Sequence, residues 1–246
     1  MGAKVSVITI NFNNLIGLKT TFESVINQDF TEFEYLLIDG DSTDGSKEFL
    51  KKNSEKIDFW LSEKDQGVYD AMNKGIKNSN GDYLIFLNSG DFFSGTDSIS
   101  KMITISNGED LVYGNLLIQE FEKSWIKKYP NRLNFRYFYF ESLPHPACLI
   151  SKRLFKQHGL YDTTLKIASD WKFFLLAVAK HNCTYKYVDE EISTFSLDGL
   201  SSNKDNKFLL ANERKSVMKK YFYFYYMAYN LYLEVLGKDI RTHSAK

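Results

Sequence analysis

Three short, largely apolar runs limit what this chain can become: Val5-Ser6-Val7-Ile8-Thr9-Ile10, Tyr35-Leu36-Leu37-Ile38 and Tyr83-Leu84-Ile85-Phe86-Leu87. Each is bounded by turn residues, and the first is rich in β-branched side chains, so each reads as a strand buried on both faces. Between the first two lies a helical period, Leu15, Leu18, Phe22, Val25 and Ile26, introduced by Asn11-Phe12-Asn13-Asn14, whose asparagines suit a cap. A second helix around Lys47 to Lys52 leads to a strand through Ile57, Phe59 and Trp60. Strand, helix, strand, helix with short connections means right-handed crossovers and a mainly parallel sheet. Open sheets of this kind bind ligands beyond the carboxyl ends of their strands. The polar residues after each run are therefore the candidates for chemistry.

Composition narrows the partners. The 246 residues suffice for one large domain or two small ones, and Lys plus Arg balances Asp plus Glu at 31 each. No global charge points to nucleic acid. Cys148 and Cys183 lack metal-ligand spacing and suit a reducing compartment without a disulfide framework. The Met-Gly-Ala-Lys start has no signal-peptide design, and no stretch reaches the ~18 to 20 apolar residues of a spanning helix. A cytoplasmic location is the expectation.

Two strand ends carry most of the signal. The third run passes into Asn88-Ser89-Gly90-Asp91, ordinary turn formers that also deliver a carboxylate from rigid backbone, a good position for a hard cation. The second passes into Asp39-Gly40-Asp41-Ser42-Thr43-Asp44-Gly45-Ser46. Asp44 and Ser46 read best as caps of the following helix, whereas Asp39, leaving the strand itself, can accept from ribose hydroxyls or a base N–H. No GxGxxG or lysine-bearing phosphate loop is present. In the Lys64 to Ile76 stretch, Val68, Met72 and Ile76 stand four apart on one helix face that packs on the sheet.

In order and spacing, the Val5 to Asn13 strand and turn, the Ile38 to Gly45 loop, the Lys64 to Ile76 segment and Leu87 to Asp91 resemble the inverting family 2 glycosyltransferases of GT-A fold. The likeness covers the first ninety residues well and the next hundred more loosely. It implies an α/β fold, a Rossmann-like sheet flanked by helices, with a nucleoside-diphosphate sugar held over the sheet edge. Thr9, Asn11, Phe12, Asp39 and Asp41 would lie about base and ribose, and Lys64, Asn73, Lys74, Asn88, Ser89 and Gly90 complete the expected donor contacts. Asp91 matches the last aspartate of the family's DxD-type motif, which holds Mn2+ or Mg2+ against the diphosphate. The sequence departs from the family where Asn88 and Gly90 replace frequent acids and where Met72 replaces a frequent arginine. Lys64 or Lys74 is the expected substitute for that charge.

The second half reads as a strand over Leu111 to Asn115, a hairpin from Leu116–Ile118 and Ser124–Ile126, and a basic, aromatic Arg132 to Phe140 that is either a loop or an amphipathic helix. Leu143 to Ile150 resembles the family's H-x-A-x-x strand, before a helix over Ser151 to His158, and puts His145 on the acceptor side with Trp171. Trp171, Phe174, Leu175 and Val178 also follow a helical core period. Asp170 opens that helix, where a carboxylate is an N-cap by default. The resemblance implies instead that Asp170 is the catalytic base. A strand over Tyr185 to Val188 precedes Phe195 to Ser202, which resembles the family's glycine–serine loop over the donor.

The expected organisation is a transferase domain over 1–205, with a nucleotide-sugar half (1–92) and an acceptor half (93–205), followed by a helical extension over 206–246. Residues 214–236 combine basic and aromatic side chains, and three covers suit them: the protein's own domain, a second copy, or the inner face of the cytoplasmic membrane. The activity expected is metal-dependent, inverting transfer to a glycan or lipid-linked oligosaccharide of the kind that builds bacterial surface polysaccharides. A non-catalytic nucleotide-sugar binding module and a nucleotidyltransferase are the alternatives.

Overall fold

The computed structural model describes residues 4–120, 123–196 and 206–236. Strands β1 (Val5–Asn11), β2 (Phe33–Asp39), β3 (Phe59–Ser62) and β4 (Tyr83–Phe86) form a parallel block in the order β3-β2-β1-β4. Helices α1 (Leu15–Ile26), α2 (Ser46–Lys52) and α3 (Val68–Asn78) supply the crossovers. All seven residues of β1 are buried, as its place at the middle of the block requires. The helices bury Leu18, Phe22 and Val25 of α1 and Met72 and Ile76 of α3, on the predicted spacings. Asn14 caps α1, its Oδ1 accepting from Gly17 N–H at 3.1 Å. Asp44 accepts from Leu15 N–H at 2.7 Å and Ser46 N–H at 3.1 Å, so one carboxylate serves the first turns of two helices.

After β5 (Phe92–Phe93) and α4 (Ser98–Ile105), the second half comprises β6 (Leu111–Glu120), β7 (Lys123–Lys127), α5 (Phe135–Phe140), β8 (Cys148–Ser151), α6 (Lys152–His158), α7 (Ser169–Leu175) and β9 (Tyr185–Ser196). The sheet continues β4-β8-β6-β9-β5, with β7 paired to β6 as the expected hairpin. Here the parallel reading holds only in part. β8 runs antiparallel between β4 and β6, and β5 antiparallel to β9, so the whole sheet is mixed. An apolar run specifies a buried strand but not its direction, which explains the difference. Arg132 to Phe140 resolves in favour of the helix, where Asn134 Oδ1 accepts from Tyr137 N–H at 3.0 Å. Residues 197–202 of the glycine–serine stretch lie outside the described residues.

Helices α8 (Lys207–Tyr221) and α9 (Tyr223–Val235) meet at Phe222, whose ring is buried 5.1 Å from that of Phe135. The core-facing side of α8 carries Glu213, Val217 and Met218, and that of α9 carries Leu233. The opposite side of α9 is apolar too: Phe224, Leu231 and Val235 are 84%, 63% and 78% exposed. A surface helix is ordinarily polar there. Among the described residues, no helix is long and apolar enough to cross a membrane.

Candidate active site

The carboxyl ends of β1 and β2 bring Asn11 beside Asp39 in register. The Asp39 carboxyl is fully buried and accepts from Asn11 Nδ2 at 2.7 Å, Ser42 N–H at 3.0 Å, Ser42 Oγ at 2.6 Å and Ser62 Oγ at 2.7 Å. Four donors fill the acceptor capacity of a carboxylate. Asp39 thus fixes three chain segments, and the acceptor left open at this edge is Asn11 Oδ1, buried and without a partner among the described residues. Thr9 is internal, its hydroxyl 3.0 Å from that of Tyr35. Phe12, by contrast, is 66% exposed at the strand end. A Cβ on Gly40 would come within 2.6 Å of the Asp65 carboxylate and 3.1 Å of the Phe12 ring, so the missing side chain opens a cradle between aromatic face and carboxylate. Asp65 was not anticipated from the sequence, although its place before Gln66-Gly67 and a helix start was a signal of the same kind as Asp39. Asp41 sits on the exposed loop at positive φ, 3.9 Å from the Lys47 ammonium.

The turn after β4 is held by its neighbours. Ser89 N–H donates to Ile10 O at 3.0 Å, and Asn14 Nδ2 donates to Ser89 O at 2.9 Å. The Thr21 hydroxyl accepts from Gly90 N–H at 3.0 Å and donates to Asp91 O at 2.7 Å. Gly90 has φ +108°, a conformation that glycine adopts without the cost a Cβ would bring. Asp91 is 7% exposed, and no salt bridge among the described residues reaches it. Burial pushes its carboxyl up to about 8, against a single backbone hydrogen bond from Asn88. Asn88 Oδ1 is likewise buried and without a partner among the described residues. A carboxyl and an amide oxygen wanting a positive partner at one turn fit a hard divalent cation. Among the described residues no group of three His, Cys, Asp or Glu side chains could hold a metal alone, so the protein contributes only part of a coordination shell.

Asp170 is the second residue of α7, and the N-cap position belongs to Ala168. The capping reading therefore fails. Its Oδ1 accepts from the Tyr69 hydroxyl at 2.7 Å, and the same hydroxyl lies 2.6 Å from Ile167 O. Tyr69 is in the first turn of α3, just past the carboxyl end of β3, so Asp170 belongs to the same sheet edge as Asp39 and Asp91. Burial and then the Asp170 charge push the Tyr69 hydroxyl well above the usual tyrosine range, so it stays a donor. Tyr69 too was missed by sequence reasoning.

The remaining candidates divide. Asn73 clamps the Tyr161 backbone from both sides, donating to Tyr161 O at 2.9 Å and accepting from Tyr161 N–H at 3.0 Å. Lys74 pairs with Glu63 at 2.8 Å and Asp70 at 3.5 Å, which consumes its charge locally, while Lys64 is exposed at the rim. His145 is a core ring, 4.7 Å from Phe86 in a stacked pair and 2.9 Å from the Tyr161 hydroxyl, with burial holding it below the usual histidine range. Trp171 is 1% exposed and donates to Phe138 O at 2.9 Å. Neither ring offers the exposed face that an acceptor contact would need. Their apolar surroundings are those of the core period on which Trp171 stands.

A profile of the family described as Glycosyl transferase family 2 matches residues 6–160, a span that contains the strand ends carrying Asn11, Asp39 and Asp91. The chain belongs to that family. This glycosyltransferase is 32% identical over 219 residues to an uncharacterized glycosyltransferase of Mycobacterium tuberculosis, covering 86% of this chain and 82% of the relative. It is 27% identical over 213 residues to a PGL/p-HBAD biosynthesis glycosyltransferase of Mycobacterium bovis, covering 83% and 82%. Among solved structures, S. aureus TarS 1–349 in complex with UDP-GlcNAc superposes with TM-score 0.65 at 17% identity, over 89% of this chain and 73% of that one. The mannosyltransferase PcManGT of Pyrobaculum calidifontis, in complex with GDP-Man and Mn2+, superposes with TM-score 0.63 at 13% identity, over 82% and 59%. The fold of the glycosyltransferase is thus GT-A-like, with α8 and α9 appended.

Proposed function

We propose that this glycosyltransferase moves a sugar, with inversion, from a nucleoside diphosphate, uridine diphosphate foremost, to a hydroxyl of a glycan or lipid-linked oligosaccharide. The observation that carries the proposal is Asp170, a half-buried carboxylate held by Tyr69 at the sheet edge that also carries Asp91. The UDP-GlcNAc complex of TarS supports the choice of donor class. The Asp170 oxygen not bonded to Tyr69 takes the proton of the acceptor hydroxyl. The acceptor oxygen bonds to the anomeric carbon from one face as the bond to the diphosphate breaks on the other, and the electron pair leaves on the phosphate oxygen. One displacement gives one inversion. Asn11, Asp65 and the Phe12 face lie where the base and ribose would be held, with Asp39 fixing their backbone. Asp91 and Asn88 Oδ1 would hold Mn2+ or Mg2+, which when bound neutralises the leaving diphosphate. The test is transfer or donor hydrolysis across a panel of UDP- and GDP-sugars with and without Mn2+. Binding of a nucleotide-sugar with neither reaction would overturn the enzyme reading in favour of a binding module.

The outward face of α9 supports a place for the enzyme at the inner surface of the cytoplasmic membrane. Tyr223, Tyr225 and Tyr232 flank Phe224, Leu231 and Val235, and Lys215, Lys219 and Lys220 are exposed on the preceding helix α8. Aromatic residues with polar tips, aliphatic side chains and neighbouring lysines match an anionic lipid interface. Sedimentation with vesicles containing anionic lipid is expected, and to be lost in Phe224→Ser/Leu231→Ser. A concentration-dependent dimer that ignores vesicles would assign this face to a second copy instead.

A further inference from the structure

Glu213 stands on α8, more than forty residues beyond Asp170 and outside the span the family profile matches. Its carboxylate is 9% exposed and accepts from three consecutive backbone N–H groups. Lys166 donates to Oε1 at 2.7 Å, and Ile167 and Ala168 donate to Oε2 at 3.1 and 3.0 Å. These residues lead directly into α7. Free N–H groups gather at the start of a helix and carry the positive end of its dipole. Ala168, at the cap position, contributes one such group, and those of Lys166 and Ile167 lie upstream of the helix, so Glu213 holds the approach to α7 rather than capping it.

The same segment is gripped from the other side. The Tyr69 hydroxyl reaches Ile167 O and Asp170 Oδ1, so a carboxylate holds the N–H groups while a hydroxyl joins the carbonyl to the proposed base. Arg214, the next residue of α8, lays its guanidinium 5.0 Å from the Trp171 ring and donates to Phe140 O at 3.3 Å. Residues 166–168 and 171, on both sides of Asp170, are thus braced by two adjacent side chains of one helix. A buried carboxylate is costly unless it is hydrogen-bonded, and these three charge-assisted bonds are its compensation.

We propose that Glu213 is a positioning residue for sugar transfer: it sets the backbone of residues 166–168 so that Tyr69 presents Asp170 to the acceptor hydroxyl. The proposal rests on the reading of Asp170 as base. A displacement of a base by about 1 Å is enough to slow a reaction on the order of 100-fold.

The test compares Glu213→Ala, Glu213→Gln, Tyr69→Phe and Asp170→Asn in the full chain, with the donor found active in the panel above. Donor hydrolysis is read beside UDP–Mn2+ affinity by calorimetry and Tm. Glu213→Ala is expected to lower kcat on the order of 100-fold with donor KM and UDP–Mn2+ affinity within about twofold. Glu213→Gln, which keeps an acceptor oxygen at the same reach, should recover about 10-fold of that loss, and Tyr69→Phe should cost about 10-fold. Wild-type kcat in both Glu213 variants overturns the proposal, as does a parallel fall of kcat, donor affinity and Tm, the signature of general damage. Should Glu213→Ala not fold, Glu213→Gln decides alone: wild-type kcat there overturns the proposal. Wild-type turnover in Asp170→Asn removes the base reading whatever Glu213 does. An inactive Asp170→Asn beside unaffected Glu213 variants removes the positioning role only.

Discussion

The two acidic ends of the candidate site are built in opposite ways. The Asp91 turn is fastened to the sheet backbone, Ser89 N–H bonding β1 at Ile10, with Asn14 at the cap of α1 and Thr21 within it adding side-chain bonds. Asp170 is fastened by side chains alone, directly by Tyr69 and, through the preceding backbone, by Glu213. A turn that continues a sheet ladder inherits the rigidity of the sheet. A carboxylate placed by side chains is only as fixed as those side chains. The first region should therefore absorb single substitutions around it, and the second should not.

The largest effect expected is at Asp170. Asp170→Asn keeps the shape and removes the proton acceptor, and should lower kcat about 1,000-fold with donor KM nearly unchanged; turnover within a few-fold of wild type would break the contrast at once. Asp91→Asn should lower kcat about 100-fold and abolish the response to Mn2+. Full activity of that variant in EDTA would remove the metal from this turn. Thr21→Val tests whether the turn has reserves: it deletes a hydroxyl that serves Gly90 and Asp91, and should cost about 2 kcal/mol in chemical denaturation while Mn2+-dependent turnover survives. Loss of activity without loss of stability would show the turn to be as brittle as the base segment.

The smallest effect is a pH dependence. In the metal-free protein Asp91 is pushed up to about 8 by burial, whereas an unfolded aspartate titrates near 3.9. The folded state binds this proton more tightly. Its stabilising contribution is complete below about pH 4 and lost as pH rises toward about 8. Mg2+ competes with the proton, so its gain in Tm should be larger at about pH 8.5 than at about pH 6, by about 5 °C. Equal gains at both pH values would place the ion elsewhere.

The same contrast governs what the sequence disclosed. The Asp91 turn, the strand-end place of Asp39 and the α1 and α3 faces were legible because strand runs, turn residues and helical spacing are local patterns, but the four internal donors that occupy the Asp39 carboxyl, expected to face ribose or base, were not. The direction of β8 was not, since a strand reads alike both ways. Tyr69 and Glu213 were invisible for a different reason: a tyrosine on a helix and a glutamate on a late helix carry no local mark, and only the fold brings them to Asp170. Asn73, His145 and Trp171 show the converse. Their place in a motif suggested contact with ligand, while the structure turns each toward the interior.

Glu213 also bears on where this enzyme can be shortened. Removing residues 206–236 would bare three neighbouring N–H groups before Asp170 and take the guanidinium from the face of Trp171. The β1–β4 block and its strand-end turns would keep their own supports. A fragment trimmed for crystallisation, or a chimaera joined near residue 205, would then keep the proposed donor end and lose the support of the proposed base, and its silence in an assay would be an artefact of the cut.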